Sequence, residues 1–221
     1  MEKMPFRDAE EVSDVHAVIA AAASSVTCSD WCQKLPTING ALVTLRELRL
    51  SDAPSLLAML TTEEVTKFIS PPPTTVEGFE RFIAWTHRER AAGRYVCFAV
   101  VPHGMDTAIG LFQIRQLEPN FAAAEWGFAI GSPFWGTGVF LDAATLVVEF
   151  AFTEIGAHRL EARAAVANGR GNGALRKVGA SQEGVLRKSF LRNGEYLDQV
   201  LWTILNEDWR RGRSSSSTSI H

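Results

Sequence analysis

From Ala124 to Phe152 the period of apolar and polar positions changes once. Glu125, Gly127 and Ala129 alternate with Trp126, Phe128 and Ile130, the two-residue period of a strand. Farther on, Asp142, Thr145, Glu149 and Thr153 recur at steps of three and four, while Ala144, Val147, Val148, Ala151, Phe152 and Ile155 fill the rest of a helical circumference. A strand and a largely buried helix from about Val139 to a stop at Gly156 are therefore predicted. The turn between them carries Gly131, Pro133, Gly136 and Gly138. One strand face is bulky and the other is bare apart from the Glu125 carboxylate. A bare face predicts either close packing of another backbone or a groove for an extended ligand.

The same periodicities place the other elements. Ala41–Leu50 reads as a first strand. Ser51 and Asp52 can cap a helix carrying Leu56, Leu57, Met59 and Leu60, and Thr61 with Glu64 makes a capping box for a short piece ending near Ile69. Ser70–Pro73 is a stiff linker. Thr74 with Glu77 opens a helix that stops at Gly93. Arg94–Pro102, Ala108–Leu117 and Ala122–Gly131 are runs separated by short turns, which predicts an antiparallel meander. After the central helix, Arg159–Ala167 alternates as one more strand, parallel to its predecessor. Asn172–Val178 reads as a short helix closed by Gly179. Gly184–Leu191 and Tyr196–Leu205 flank Asn193-Gly194, a strong hairpin signal. The sum is an α+β fold with about seven strands in a mixed, mostly antiparallel sheet and helices on its faces. Residues 1–40 read as an N-terminal extension, with a helix-capable stretch near Asp8–Ala23. Residues 41–209 form the domain, and 210–221, rich in serine, a disordered tail.

Composition narrows the function classes. At 221 residues with 46% hydrophobic content, one domain with a sizeable core is expected. The balance of 22 basic against 25 acidic residues argues against a surface for nucleic acid. The stretch from His158 to Arg192 is nevertheless basic, which fits either a solvated face or a rim that attracts a phosphorylated ligand. Acidic residues before the Ala-rich run Ala17–Ser25 argue against a signal peptide, and no apolar run reaches membrane-spanning length, so no membrane partner and a cytoplasmic location are expected. Cys28, Cys32 and Cys97 have no recurring metal spacing, so free thiols and no metal are expected.

The Gly-rich turn is the most informative stretch for chemistry. Trp135, Gly136, Thr137 and Gly138 lie where the amides of the first helical turn are free and the helix dipole is positive, which suits a phosphate or diphosphate. A Gly-x-Gly also fits an ordinary tight turn. It lacks the Lys-Ser/Thr of a P-loop.

Three motifs together resemble the GNAT superfamily of acyl-CoA-dependent N-acetyltransferases, in particular the branch of ribosomal-protein-alanine and ribosomal-protein-serine N-acetyltransferases. Glu125-Trp126-Gly127-Phe128 with Pro133–Gly138 is similar to that branch's fourth strand and pyrophosphate loop. Asn168–Ala180 resembles its Asn-led segment after the fifth strand, and Gly184–Arg187 with Gly194 and Asp198 its final hairpin. The resemblance implies acetyl-CoA as co-substrate in a cleft between the fourth and fifth strands. Its pantetheine would bond to Phe128, Ala129 and Ile130, and its diphosphate to Trp135, Gly136, Thr137, Gly138, Val139 and Phe140. Asn168 and Asn172 are candidates for the pantetheine arm, with turn-making and capping as their alternative. Lys177 or Arg176 is the candidate for the adenosine phosphates. Phe140 stands where the motif has Gly or Ala, and Gly171 where many relatives have Ser.

The implied activity is acetyl transfer to a primary amine by direct attack, the acceptor being a protein N-terminus or a small amine. A non-catalytic acyl-CoA-binding or sensing module on the same fold is the alternative, and a homodimer is compatible with either. An amine with a pKa near 10 loses its proton at a cost of about 4 kcal/mol at neutral pH. Glu125 is the candidate base, directly or through water; its alternative is an ion pair with Arg163. No residue is placed to activate Cys97 as a nucleophile.

Overall fold

The computed structural model describes residues 30–217, and side chains over 31–212. The helix-capable stretch near Asp8–Ala23, Cys28 and residues 218–221 lie outside them. The strands are β1 (Ile38–Asn39), β2 (Val43–Glu47), β3 (Tyr95–Pro102), β4 (Gly110–Gln116), β5 (Ala123–Ile130), β6 (Arg159–Ala165), β7 (Ser181–Arg192) and β8 (Glu195–Leu205). They form one sheet in the order β1-β2-β3-β4-β5-β6-β8-β7, antiparallel except for the pair β5 and β6. Parallel pairing follows from the helix between those strands, which carries the chain back across the sheet.

The helices are α1 (Ala53–Leu60), α2 (Glu63–Thr66), α3 (Val76–Ala91), α4 (Val139–Thr153), α5 (Gly169–Lys177) and α6 (Asn206–Ser217). They cover both faces of the sheet. On one face α4 buries Val147, Val148 and Phe150 against the strands, with Phe150 edge-on to Phe98 at 5.0 Å between ring centroids. On the other, Leu56 of α1 with Phe79 and Ile83 of α3 packs over Cys97 and Leu111. The mixed α+β architecture is the expected one, but eight strands stand where about seven were expected. The extra strand, β1, is two residues long, too short to show a period in sequence.

Local chemistry shifts several boundaries. Thr75, not Thr74, caps α3, its hydroxyl accepting from Gly78 N at 3.0 Å. Thr62, not Thr61, precedes α2. α5 begins at Gly169 rather than Asn172, because the Asn168 side chain accepts from Gly171 N at 2.9 Å and caps the helix one turn earlier. Asn193 and Gly194 both have positive φ (49° and 80°), the geometry of a two-residue hairpin turn. The chain joins the core before residue 41, where Trp31, Cys32 and Leu35 are buried. Cys32 is disulfide-bonded, against the expectation of free thiols, while Cys97 is a buried free thiol. Pairing depends on Cα proximity and Cβ direction, which sequence spacing does not report. α6 runs past Arg210 into the stretch whose composition suggested disorder.

The polar stripe of α4 is a docking track. The Asp142 carboxylate accepts from the amides of Ala41, Leu42 and Val43 at 3.1, 2.7 and 3.1 Å. One turn below the middle of the helix, Glu149 accepts from Trp209 Nε1 of α6 at 2.8 Å. Thr145 and Thr153 instead bond the carbonyls of Leu141 and Glu149 in their own helix. Hydrogen bonds to a charged acceptor contribute about 1.5–3 kcal/mol each at most, and three sharing one half-exposed carboxylate contribute less than their sum. Asp142→Ala is expected to cost about 2 kcal/mol, read as a lowered urea midpoint at unchanged slope. An unchanged midpoint would refute a structural role for this carboxylate.

Candidate active site

β5 and β6 pair at only three positions, Ala123 with Arg159, Ala124 with Leu160 and Glu125 with Glu161. Beyond Glu125 the strands part. β5 continues to Ile130 along β4, and β6 continues to Ala165 along β8. The parting opens a notch in the sheet, and backbone groups on the β6 side of Trp126–Ile130 are left to find other partners. A cavity of about 430 Å³ runs through it. Gly127, Phe128, Ala162 and Ala164 line the notch itself, and Asn168 and Gly171 of α5 border it. The bare strand face read in the sequence thus faces open space.

The Gly-rich turn follows directly from the end of β5, past the residues that line the cavity. Trp135 Nε1 donates to Ile130 O at 2.9 Å, and the Thr137 hydroxyl to Phe134 O at 2.7 Å, so the turn is braced by its own side chains. Gly136, Thr137 and Gly138 are exposed. Gly138 is the residue before α4 and has φ of +90°, a conformation that L side chains rarely adopt. Its left-handed turn presents the amides of the first helical turn to solvent, where they have no intrahelical acceptor. Asp142, the nearby acid, turns its carboxylate to the Ala41–Val43 amides. Phe140 does not crowd the turn. Its ring packs inward on Phe128 (4.5 Å) and Phe112 (5.8 Å).

Across the notch, the guanidinium of Arg170 lies 4.1 Å from the centre of the Trp135 ring. A cation from α5 therefore stacks on the Gly-rich turn of α4. Lys177, two turns farther along α5, is exposed at that helix's far end. Arg176 lies over Trp202 at 5.5 Å. Arg170 was not singled out from the sequence, since only folding brings Trp135 beneath it.

The two asparagines have occupations of their own. Asn168 caps α5, and a side chain at position 171 would press on its amide, the Cβ lying 2.5 Å from Nδ2. The Asn172 amide donates to Ala165 O (2.9 Å) and Asn168 O (2.8 Å), and its Oδ1 accepts from Trp202 Nε1 (2.8 Å). Asn172 is buried and ties α5 to β6 and β8.

Glu125 is buried on the opposite sheet face from α4, between two guanidiniums. Arg163 donates to its Oε1 at 3.1 Å, and Arg115 is bound to Oε2. The chain of charges continues in alternating sign. Arg163 also meets Glu161 (3.6 Å), Glu161 meets Arg159 (2.9 Å), and Arg159 meets Glu183 (2.6 Å), which accepts from the Thr203 hydroxyl at 2.7 Å. The register explains it: Tyr95, Arg115, Glu125, Glu161 and Thr203 face one another in a row across β3, β4, β5, β6 and β8. Burial pushes the Tyr95 phenol up and holds the Cys97 thiol protonated. Among the described residues no cluster of three or more metal-binding side chains exists, and no helix is long and apolar enough to cross a membrane.

A family model described as the acetyltransferase (GNAT) domain matches residues 43–181. The chain belongs to the GNAT acetyltransferase family. Members act as acetyltransferases, and the relatives agree: the chain is similar to "Uncharacterized N-acetyltransferase p20" of Bacillus licheniformis, 24% identical over 79% of this chain and 99% of that protein. It is similar over a shorter span to the [ribosomal protein uS5]-alanine N-acetyltransferase of Escherichia coli, 29% identical over 42% of this chain and 48% of that enzyme. Among solved structures it resembles RimJ of Mycobacterium smegmatis in complex with CoA-disulfide, with a TM-score of 0.72, 20% identity, and 82% and 95% of the two chains covered. This GNAT chain is an enzyme, an N-acetyltransferase.

Arg159 and Thr203 hold the Glu183 carboxyl down at about 2, from an ordinary value near 4.5. A carboxyl lowered on folding adds stability above its unfolded value, and that stability is lost as pH falls through the folded one. The stability deficit of Glu183→Gln is therefore expected to be full above pH 4.5 and to shrink towards pH 2. Urea midpoints of the two proteins at a series of pH values check this, and a pH-independent deficit would contradict it.

Proposed function

We propose that this enzyme moves acetyl from acetyl-CoA to a primary amine by direct attack, without an acyl-enzyme. The observation that carries the reading is the parting of β5 and β6 beside a braced, glycine-rich helix start. A notch with unpaired backbone suits the amide-bearing pantetheine arm, which can bond to the backbone of Phe128 and the amide of Ile130 as a surrogate strand; Ala129 turns its backbone to Leu111 of β4, and the Ile130 carbonyl is held by Trp135. The backbone amides of the turn and first helical turn, Gly136–Phe140, with Trp135 as wall, suit its diphosphate. Arg170, stacked on Trp135, adds a cation beside that turn. Lys177 remains the candidate for phosphate at the adenosine end, and Asn168 and Asn172 shape the notch wall rather than offering free amides.

The thioester supplies an activated acetyl group. The amine nitrogen forms the new C–N bond as the C–S bond breaks, one amine proton is released, and CoA leaves as the thiol. The chain must favour the neutral amine. Partial burial disfavours an ammonium ion, and the two acids that border the cavity are already held, Glu89 by Arg94 and Glu125 by Arg115 and Arg163, so neither is open to pair with a cation. Glu125 retains lone pairs beyond those its arginines use, and can accept a hydrogen bond from the amine or from a water that takes its proton. Cys97 is protonated and faces the α1 and α3 core, which leaves a thiol relay without a nucleophile.

Two variants test the halves separately. Thr137→Glu places a carboxylate among the turn amides at a residue without strained backbone, and is expected to raise the Kd for acetyl-CoA at least about tenfold. Calorimetry with unchanged Kd in a folded variant would overturn the diphosphate assignment. Glu125→Gln is expected to lower kcat about 10²–10³-fold with acetyl-CoA affinity retained, followed as thiol release. Full activity in that variant would remove Glu125 from the chemistry.

A further inference from the structure

Resting on the transfer reading above, the acceptor half of the cavity identifies a class of amine. We infer that the acceptor is a primary amine carried on a compact aromatic or bulky apolar group, and that Trp85 is the residue that selects it.

The cavity does not end at the notch. It continues across the sheet face of Glu125 to a pocket walled by Phe68, Phe82 and Trp85, floored by Tyr95 and Leu111, and roofed by the prolines of the linker after α2. Phe82 stacks on Trp85 at 6.1 Å, and Trp85 meets Tyr95 at 4.8 Å, so the aromatic wall is continuous and held in place. Phe82 and Tyr95 are buried, whereas Phe68 and Trp85 keep part of their surface open. Apolar surface left wet in this way disfavours the empty pocket by about 25 cal/mol per Å² and is relieved by an apolar occupant. On the far side, Arg192 of the β7–β8 hairpin donates to Thr66 O at 2.8 Å and ties the hairpin to α2.

Size and charge exclude the other acceptors. About 430 Å³ lies at the small end of the roughly 300–1,000 Å³ typical of small-molecule sites, and the thioester end of the cofactor must share it. A large aminoglycoside would leave most of its surface outside the aromatic pocket. A polyamine would need acids to hold its second and third charges, but Glu89 is bound bidentately by Arg94 at 2.9 and 3.0 Å and Glu125 by two arginines. An N-terminal alanine would leave the aromatic wall wet. Either a free arylalkylamine or a peptide with an aromatic first residue satisfies the same chemistry.

The test is thiol release by the full chain with acetyl-CoA and five amines: 2-phenylethylamine, n-butylamine, spermidine, and peptides beginning with Phe or Ala. Phenylethylamine or the Phe peptide is expected to exceed butylamine and the Ala peptide in kcat/KM by at least about tenfold, the discrimination an apolar pocket delivers. Which of those two is preferred tells the free amine from the protein N-terminus. In Trp85→Leu that preference is expected to fall below about threefold, with the Kd for acetyl-CoA unchanged as the check on folding. Equal or better turnover of butylamine, spermidine or the Ala peptide would overturn the aromatic acceptor while leaving the transfer reading intact. Bound acetyl-CoA that no amine consumes would overturn the transfer reading, and the acceptor with it.

Discussion

Two parallel strands that pair for three residues and then part impose the constraint on which the rest of this molecule depends. A sheet ordinarily satisfies each backbone group from its neighbour, and a break in the middle of one leaves polar groups that folding must leave accessible or match with something else. Here β4 and β8 hold the two lips from outside, so the notch stays open without the sheet coming apart. The helix between the lips begins just past the end of β5. The start of α4 and the open edge of β5 are therefore neighbours along the chain.

Holding the notch open takes polar contacts far apart in sequence. Asp142 binds the amides of Ala41–Val43 and so anchors the start of α4 to the segment that leads into β2. Asn172 fastens α5 to both β6 and β8, and Asn168 sets where α5 begins. The ladder from Arg115 to Glu183 runs across the sheet beneath the cavity, where alternating charges neutralise one another in a partly buried row. Partial burial makes each member depend on its neighbours, since removing one leaves a charge without its partner.

Much of this was legible in the chain. The alternation of Glu125–Ile130, the helix on Val139–Thr153 and the turn glycines are local signals, fixed by the two-residue and 3.6-residue periods and by the φ that only glycine adopts cheaply. The Asn-Gly hairpin and the parallel crossover were legible for the same reason. So was the family, because its motifs fall in local stretches whose order the sequence preserves. What was misplaced was short or shared: β1 has too few residues for a period, and the helix starts after Thr62, Thr75 and Asn168 each had another polar residue within a turn.

The tertiary structure decided which polar residues meet. Sequence offered Glu125 with Arg163 as one pairing; the register added Arg115 and carried the row on to Glu161, Arg159 and Glu183. It turned Asn172 into a strut and Asp142 into an anchor, and brought Arg170 over Trp135. It also set Trp85 and Phe82 of α3 against Tyr95 of β3, making an aromatic wall from residues that along the chain were only the apolar side of a helix and the start of a strand. Periods along a chain report which face a residue takes, because that depends on backbone geometry alone. Which side chains share a site depends on register and on where strands part, and those are set only when the whole sheet has packed.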